Sequence, residues 1–434
     1  MGLHERYARW LGDVPRNLDC EKADDDARRR LSSLFGGMMR SLFKEKGAEF
    51  RVELVADPAV QEFVGAHASV MDSAFKTVGM SDAMRRRLTR SNYIFSGMKA
   101  FHELREAFPS LLDENGDRKP FERFLNDVQS IDSKYNSNYL RAEYNFVAAS
   151  AEMAGRWERF MADGDRYYLQ YRTCKDGNVR PEHAALDGVT LPPSDSFWSE
   201  FYPPNGWNCR CTVVQVRKSK CPETSHDEAM RLGDDALQRD TKGIFRFNPG
   251  LEQKSVPDYN PYTIRRCRDC DIARGKLKLA RQFVPDNELC AACAIVHQCY
   301  GDKEKSESAI RRKHYLREME SLLMSRVAKT AIDGTKMKVQ FTKEGNKHLY
   351  SDTLGRTKRV RMEDLKDLDR WLEHSKPVGD ASPAEGHNNG YDHFYYFKVQ
   401  IRDRWVRLNV GMRLRIKGDG QIYRDYTLYS VNDI

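Results

Sequence analysis

The stretch from Tyr167 to Val216 constrains the fold of this chain more than any other. It reads YYLQYRTCKDGNVRPEHAALDGVTLPPSDSFWSEFYPPNGWNCRCTVVQV and carries five prolines and two tryptophans. Tyr167, Leu169 and Tyr171 alternate with other residues, the period of a half-buried strand with bulky aromatics on one face. Lys175-Asp176-Gly177-Asn178 then breaks the strand as a turn. A proline-rich loop follows, and Cys211 to Val216 returns as a second apolar strand. Two strands bracketing so long a loop predict a small sheet whose loop is pinned from within. The candidate pin is Cys209 and Cys211 with His183, soft and borderline donors suited to zinc. Cys174 or Asp176 is the candidate fourth ligand. The bland alternative is a pair of small buried thiols beside a hydrogen-bonded histidine.

The rest of the chain sorts around this stretch. Its 434 residues, 40% hydrophobic and 31% charged, predict several domains with real cores and argue against disorder. A net charge of +8 permits a nucleic-acid partner without requiring one. No run approaches the roughly 20 apolar residues of a membrane span, and MGLHERYARWLGDVPRN lacks the apolar core of a signal peptide. The expected location is therefore a cytoplasm, where ten cysteines point to metal or free thiols before disulfides.

Residues 1–90 read as a helical N-terminal region, with an amphipathic helix over Ala27–Phe43. Met84-Arg85-Arg86-Arg87-Leu88 reads as a solvated basic face. Ser96–Phe108 has helical spacing. Leu140, Tyr144, Val147, Ala151, Ala154, Trp157 and Met161 form the clearest helical stripe, expected to back the central sheet. Residues 220–262 read as irregular. Cys267-x-x-Cys270 and Cys290-x-x-Cys293, nineteen residues apart, have the spacing of a structural zinc site made of two knuckles, with His297 and Cys299 as substitutes. Residues 261–300 thus form a Cys-rich, zinc-ribbon-like insert, and 301–329 a charged helical linker. From 330 to 434 the pattern is α+β: a strand at Met337–Phe341, a helix over Met362–His374, a Gly/Asn-rich loop (Gly379–Gly390) and an antiparallel meander. Its strands are basic, with Lys398, Arg402, Arg404, Arg407, Arg413, Arg415 and Lys417 against Asp403 and Asp419, a footprint suited to a phosphate backbone.

The runs YRTCKDGNVRPEHAALDG and LPPSDSFWSEFYPPNGWNCRC resemble the phage head-morphogenesis domain of Mu-type minor head proteins. Ser96–Phe101, Tyr135–Leu140 and Phe247-Asn248-Pro249-Gly250 fit the same pattern, so the likeness spans 91–260. One departure is Val179–His183, where siphophage-type members carry a C-x-x-C pair. The resemblance implies a phage or prophage protein that assembles with portal and major head proteins in the bacterial host cytoplasm and enters the virion, at the portal vertex or head interior.

The C-terminal module resembles the barnase/EndoU/colicin/RelE-like nuclease domains of phage head proteins, on its element order, on KHLYSD and on the terminal Leu428-Tyr429-Ser430. That resemblance implies a metal-independent RNase, a toxin-type effector with an immunity protein as partner. By position His348 is the proton-transfer group, Lys398 and Arg407 stabilise charge, and Ser430 or Tyr429 positions the phosphate. His374 and His393 compete with His348. The alternative is a structural head protein whose basic module binds RNA, DNA or a partner without catalysis. A zinc-finger nucleic-acid-binding protein is a third class, which leaves 167–216 unexplained.

Overall fold

The computed structural model describes residues 21–46, 50–240, 242–258, 260–262, 288–324, 326–351, 364–383, 390–402 and 404–433. Two compact units divide the chain, 1–302 and 303–434.

The first unit opens with α1 (Glu21–Lys44), α2 (Pro58–Ser73) and α3 (Asp82–Ala107). α1 buries Leu31, Phe35, Met38, Met39 and Leu42, the stripe its sequence predicts. Asp57 caps α2 ahead of Pro58, and Ser81 caps α3, each accepting from a backbone N–H of the first turn. The expected boundary near residue 90 falls within α3. After the short α4 (Phe121–Asp127) and a π-turn at Ser133–Asn138, α5 (Leu140–Asp163) runs 24 residues.

α5 serves two cores. Leu140, Val147, Ala151 and Ala154 pack with α1–α3. Ala142, Phe146, Met153, Trp157 and Phe160 pack with the sheet that follows. The stripe expected to back the sheet therefore largely faces the helices instead, and Met161 is exposed. Small residues explain the swap, because they suit close helix approach while the larger aromatics fill the space under a sheet. At Gly155 an added Cβ would lie 2.5 Å from the Gly79 carbonyl oxygen.

A charged network lies wholly inside the helical core. Lys99, His67, Glu103 and Glu143 are all buried. The Lys99 ammonium donates to Glu143 Oε2 at 2.7 Å, the Tyr135 carbonyl at 2.8 Å and His67 Nε2 at 3.1 Å, which uses its three protons. His67 Nδ1 lies 2.8 Å from Ser96 Oγ, and the Tyr262 hydroxyl donates to Glu143 Oε1. Burial, reinforced by the Lys99 charge, pulls His67 down to about 4. Burial opposes ionisation of Glu143, yet Lys99 and His67 hold it at about 2. Glu103 is pushed up to about 8 by burial, only partly offset by Lys99. A serine, a histidine and a carboxylate in line look like a hydrolase triad, but with no exposed edge they act as a structural tie.

β1 (Tyr168–Arg172), α6 (Pro181–Ala184), β2 (Thr190–Leu191), α7 (Phe197–Phe201) and β3 (Thr212–Val216) follow. The sheet order is β2-β1-β3, antiparallel throughout, with Tyr171 opposite Val213. Residues 220–262 are not irregular: α8 (His226–Ala236) and α9 (Pro249–Glu252) lie there. The buried face of α8 is Ala229, Gly233 and Ala236, too small to print an apolar period. Gly233 meets the Phe201 ring, where a Cβ would come within 2.6 Å. α10 (Glu288–Leu323) is one continuous helix, and the expected break between Cys-rich insert and linker at 300/301 falls inside it.

The second unit holds β4 (Val327–Ile332), β5 (Thr335–Gln340), α11 (Lys343–Ser351), α12 (Leu368–Glu373), β6 (Lys376–Ala381), β7 (His393–Ile401), β8 (Arg404–Ile416) and β9 (Ile422–Asp433). The α+β class stands, but the sheet is mixed: the order is β4-β5-β9-β8-β7-β6 with β5 and β9 parallel. β6 occupies part of the expected Gly/Asn loop. It is an edge strand with Pro377 and Gly379 at a bulge, so it shows no alternation. Phe397, Val399, Val406, Leu408, Val410 and Val431 form the core side with Leu368 and Leu372 of α12.

Candidate metal centre and the basic sheet face

The two motif runs of the first unit meet residue by residue. Tyr171, on β1, donates its hydroxyl to Asn205 Oδ1 at 2.8 Å. Asp176 at the turn takes both Arg210 nitrogens, at 2.6 and 2.7 Å. Arg180 donates to the Trp207 carbonyl at 2.7 Å. Asn208, in the left-handed region at φ 57°, accepts from Asn145 Nδ2 of α5 at 3.0 Å. Asn248 caps α9 and reaches back to the Trp198 carbonyl at 2.8 Å. Gly250 packs on Trp157, where a Cβ would lie only 2.2 Å from that side chain.

At the centre stand His183, on α6, and Cys209 and Cys211, leading into β3. All three are buried, and their donor atoms lie within 4.8 Å of one another. His183 Nδ1 is 3.8 Å from each sulfur. The hydrogen bond from Cys211, with His183 beside it, holds the Cys209 thiol well below its usual range. That thiolate and burial push Cys211 up. Of the expected fourth ligands, Asp176 is engaged by Arg210 and the Cys174 thiol donates to the Arg210 carbonyl at 3.1 Å. In the other cluster, Cys267 and Cys270 lie outside the described residues. Cys290 and Cys293 sit one turn apart on α10, so a helical turn replaces the knuckle expected there.

In the second unit the fold gathers the five expected site residues along one path. Lys398 lies opposite Arg407 across β7 and β8, and Asn409 lies opposite Ser430 across β8 and β9. Arg407 Nε donates to Asn409 Oδ1 at 3.1 Å, and Asn409 Nδ2 donates to Ser430 Oγ at 2.6 Å. The Arg407 guanidinium covers the Tyr396 ring at 4.7 Å, and Lys398 covers Trp405 at 5.4 Å. Tyr429, beside the β8–β9 bulge, stacks on His348 of α11 with ring centroids 4.3 Å apart. His374 ends α12 on the Arg370 carbonyl, and His393 pairs with Asp380 at 2.6 Å. His348 is thus the histidine that adjoins the row. Asn409, which links Arg407 to Ser430, was missed, although the alternation from Arg407 would have found it.

Residues 115–214 match the family model described as Phage Mu protein F like protein. The chain is 43% identical over 85 residues to a protein named "Putative capsid assembly protein F" from Escherichia phage Mu, covering 19% of each chain. It is 31% identical over 137 residues to the Mu-like prophage FluMu F protein of Haemophilus influenzae, covering 30% of each. The chain thus spans between about a fifth and a third of the length of these relatives. No solved structure matches. Among the described residues, no helix is long and apolar enough to cross a membrane.

Proposed function

We propose that this chain is a minor head protein of a phage or prophage, acting with portal and major head proteins during capsid assembly, and that its C-terminal unit is a metal-independent RNase. The match over 115–214 carries the first part. The matched segment includes α5, β1, the turn at Asp176 and the GWNCRC loop, whose contacts interlock. Assembly takes place in the bacterial host cytoplasm, and the protein then resides in the virion. Co-expression with the portal and major head proteins tests this: the chain should sediment with the particles. Particles of normal shape and number that never retain it would refute the role.

The RNase reading rests on the path from His348 through Tyr429, Ser430, Asn409 and Arg407 to Lys398. A histidine at one end and two cations at the other could transfer a 2′-hydroxyl proton and stabilise a pentavalent phosphate, with Tyr396 and Trp405 as stacking surfaces. Catalysis would need no metal, and an immunity protein would shield the host. One observation favours a rival reading, a sheet that binds RNA, DNA or a partner without cutting: Ser430 is 5% exposed and already bonded to Asn409. Incubating the full chain with RNA in EDTA separates the two. Products with 2′,3′-cyclic phosphate ends, lost in His348→Ala, support the enzyme. Binding without cleavage supports the rival.

A further inference from the structure

We propose that His183 Nδ1 and the thiolates of Cys209 and Cys211 hold one thiophilic divalent cation of the zinc class, tying the PPNGWNCRC loop to α6. The site is independent of the roles proposed above, since it stands on geometry alone. Three buried soft or borderline donors, from two segments 26 and 28 residues apart, converge. A tetrahedral zinc ion, with metal–sulfur near 2.3 Å and metal–nitrogen near 2.0 Å, separates nitrogen from sulfur by about 3.5 Å. The observed separations are 3.8 Å to both sulfurs.

The surroundings fit a structural ion. Asp176 and Arg210 neutralise each other beside the site, which leaves the local charge balance to two thiolates and a divalent cation. Cys174 stands one contact away, its thiol on the Arg210 carbonyl. The Arg180, Arg210 and Cys174 bonds also hold the loop from Tyr202 to Cys211 on the turn.

The test is the zinc content of the full chain, purified under reducing conditions and dialysed against metal-free buffer. Relative to wild type, Cys209→Ser/Cys211→Ser should lose one equivalent per chain, whatever the Cys267–Cys293 region contributes. Cys221→Ser should lose none, and His183→Cys, which keeps a soft ligand, should retain the ion. Cobalt substitution should give sulfur-to-metal charge-transfer absorption that falls in each single serine variant. If the double variant does not fold, His183→Cys and the single serine variants carry the test, with circular dichroism as the check on folding. Folded serine variants with unchanged metal content and spectrum would overturn the site. So would wild-type protein whose Cys209 and Cys211 are joined to each other as a disulfide.

Discussion

Replacing Lys99 by methionine removes the cation at the centre of the buried network while keeping its volume. At 2.7 Å and an effective dielectric of about 20, its attraction to Glu143 is roughly 6 kcal/mol. Part of that is returned, because the ammonium no longer has to be dehydrated. What remains is a buried carboxylate held only by Tyr262 and His67, and breaking such a pair typically costs about 3–5 kcal/mol. Removing Glu143 as well (Lys99→Met/Glu143→Met) leaves no orphaned charge and should recover part of the loss. The readout is hydrogen exchange of the slow amides in α3 and α5, whose protection should fall by about two to four orders of magnitude in the single variant. A single variant within about 1 kcal/mol of wild type would refute the reasoning. So would a double variant less stable than the single.

Glu103 gives the same core a pH dependence. Its folded value is raised to about 8 from 4.5, so its contribution is complete below pH 4.5 and is lost as pH rises to 8. His67, lowered from 6.5 to about 4, contributes stability that is lost as pH falls between those values, offsetting Glu103 below pH 6.5. Between pH 6.5 and 8 Glu103 should cost about 2 kcal/mol, opposed in the same unit by the lowered Cys209 thiol; denaturant titrations should show the Glu103 component as the difference between wild type and Glu103→Gln. Gly250→Ala should destabilise the first unit by about 1–3 kcal/mol through its clash with Trp157, read as a lower melting temperature. Asn248→Ala should cost about 1–2 kcal/mol through loss of the α9 cap and the Trp198 contact, by the same measurement.

Much of this was legible because the residues carry strong local signals. The α1 stripe, β1 and β3, and the long α5 follow from apolar period alone. His183, Cys209 and Cys211 stood out because soft ligands flank an unusually constrained loop. Elements that bury small residues or lie at an edge were not legible: α8 packs alanine and glycine, and β6 carries Pro377 and Gly379. Nor could periodicity show which core each face of α5 serves, since both are apolar. The parallel β5–β9 pair depends on contacts between strands far apart in the chain. The Lys99 network was hidden for a different reason: charged residues on a helix normally read as surface.

α5 belongs to both cores of the first unit at once, and this bears on how such a gene can be reshuffled. A recombination that inherited only 115–214 would deliver a helix whose Leu140, Val147, Ala151 and Ala154 side had lost its partners. Lys99, Glu103 and Tyr262 would be left behind too, stranding Glu143. The heritable block is therefore wider than the segment that matches the family model, and exchange points that preserve a working protein should fall before α1 and after Tyr300, because Ala292, Val296 and Tyr300 of α10 belong to the helical core.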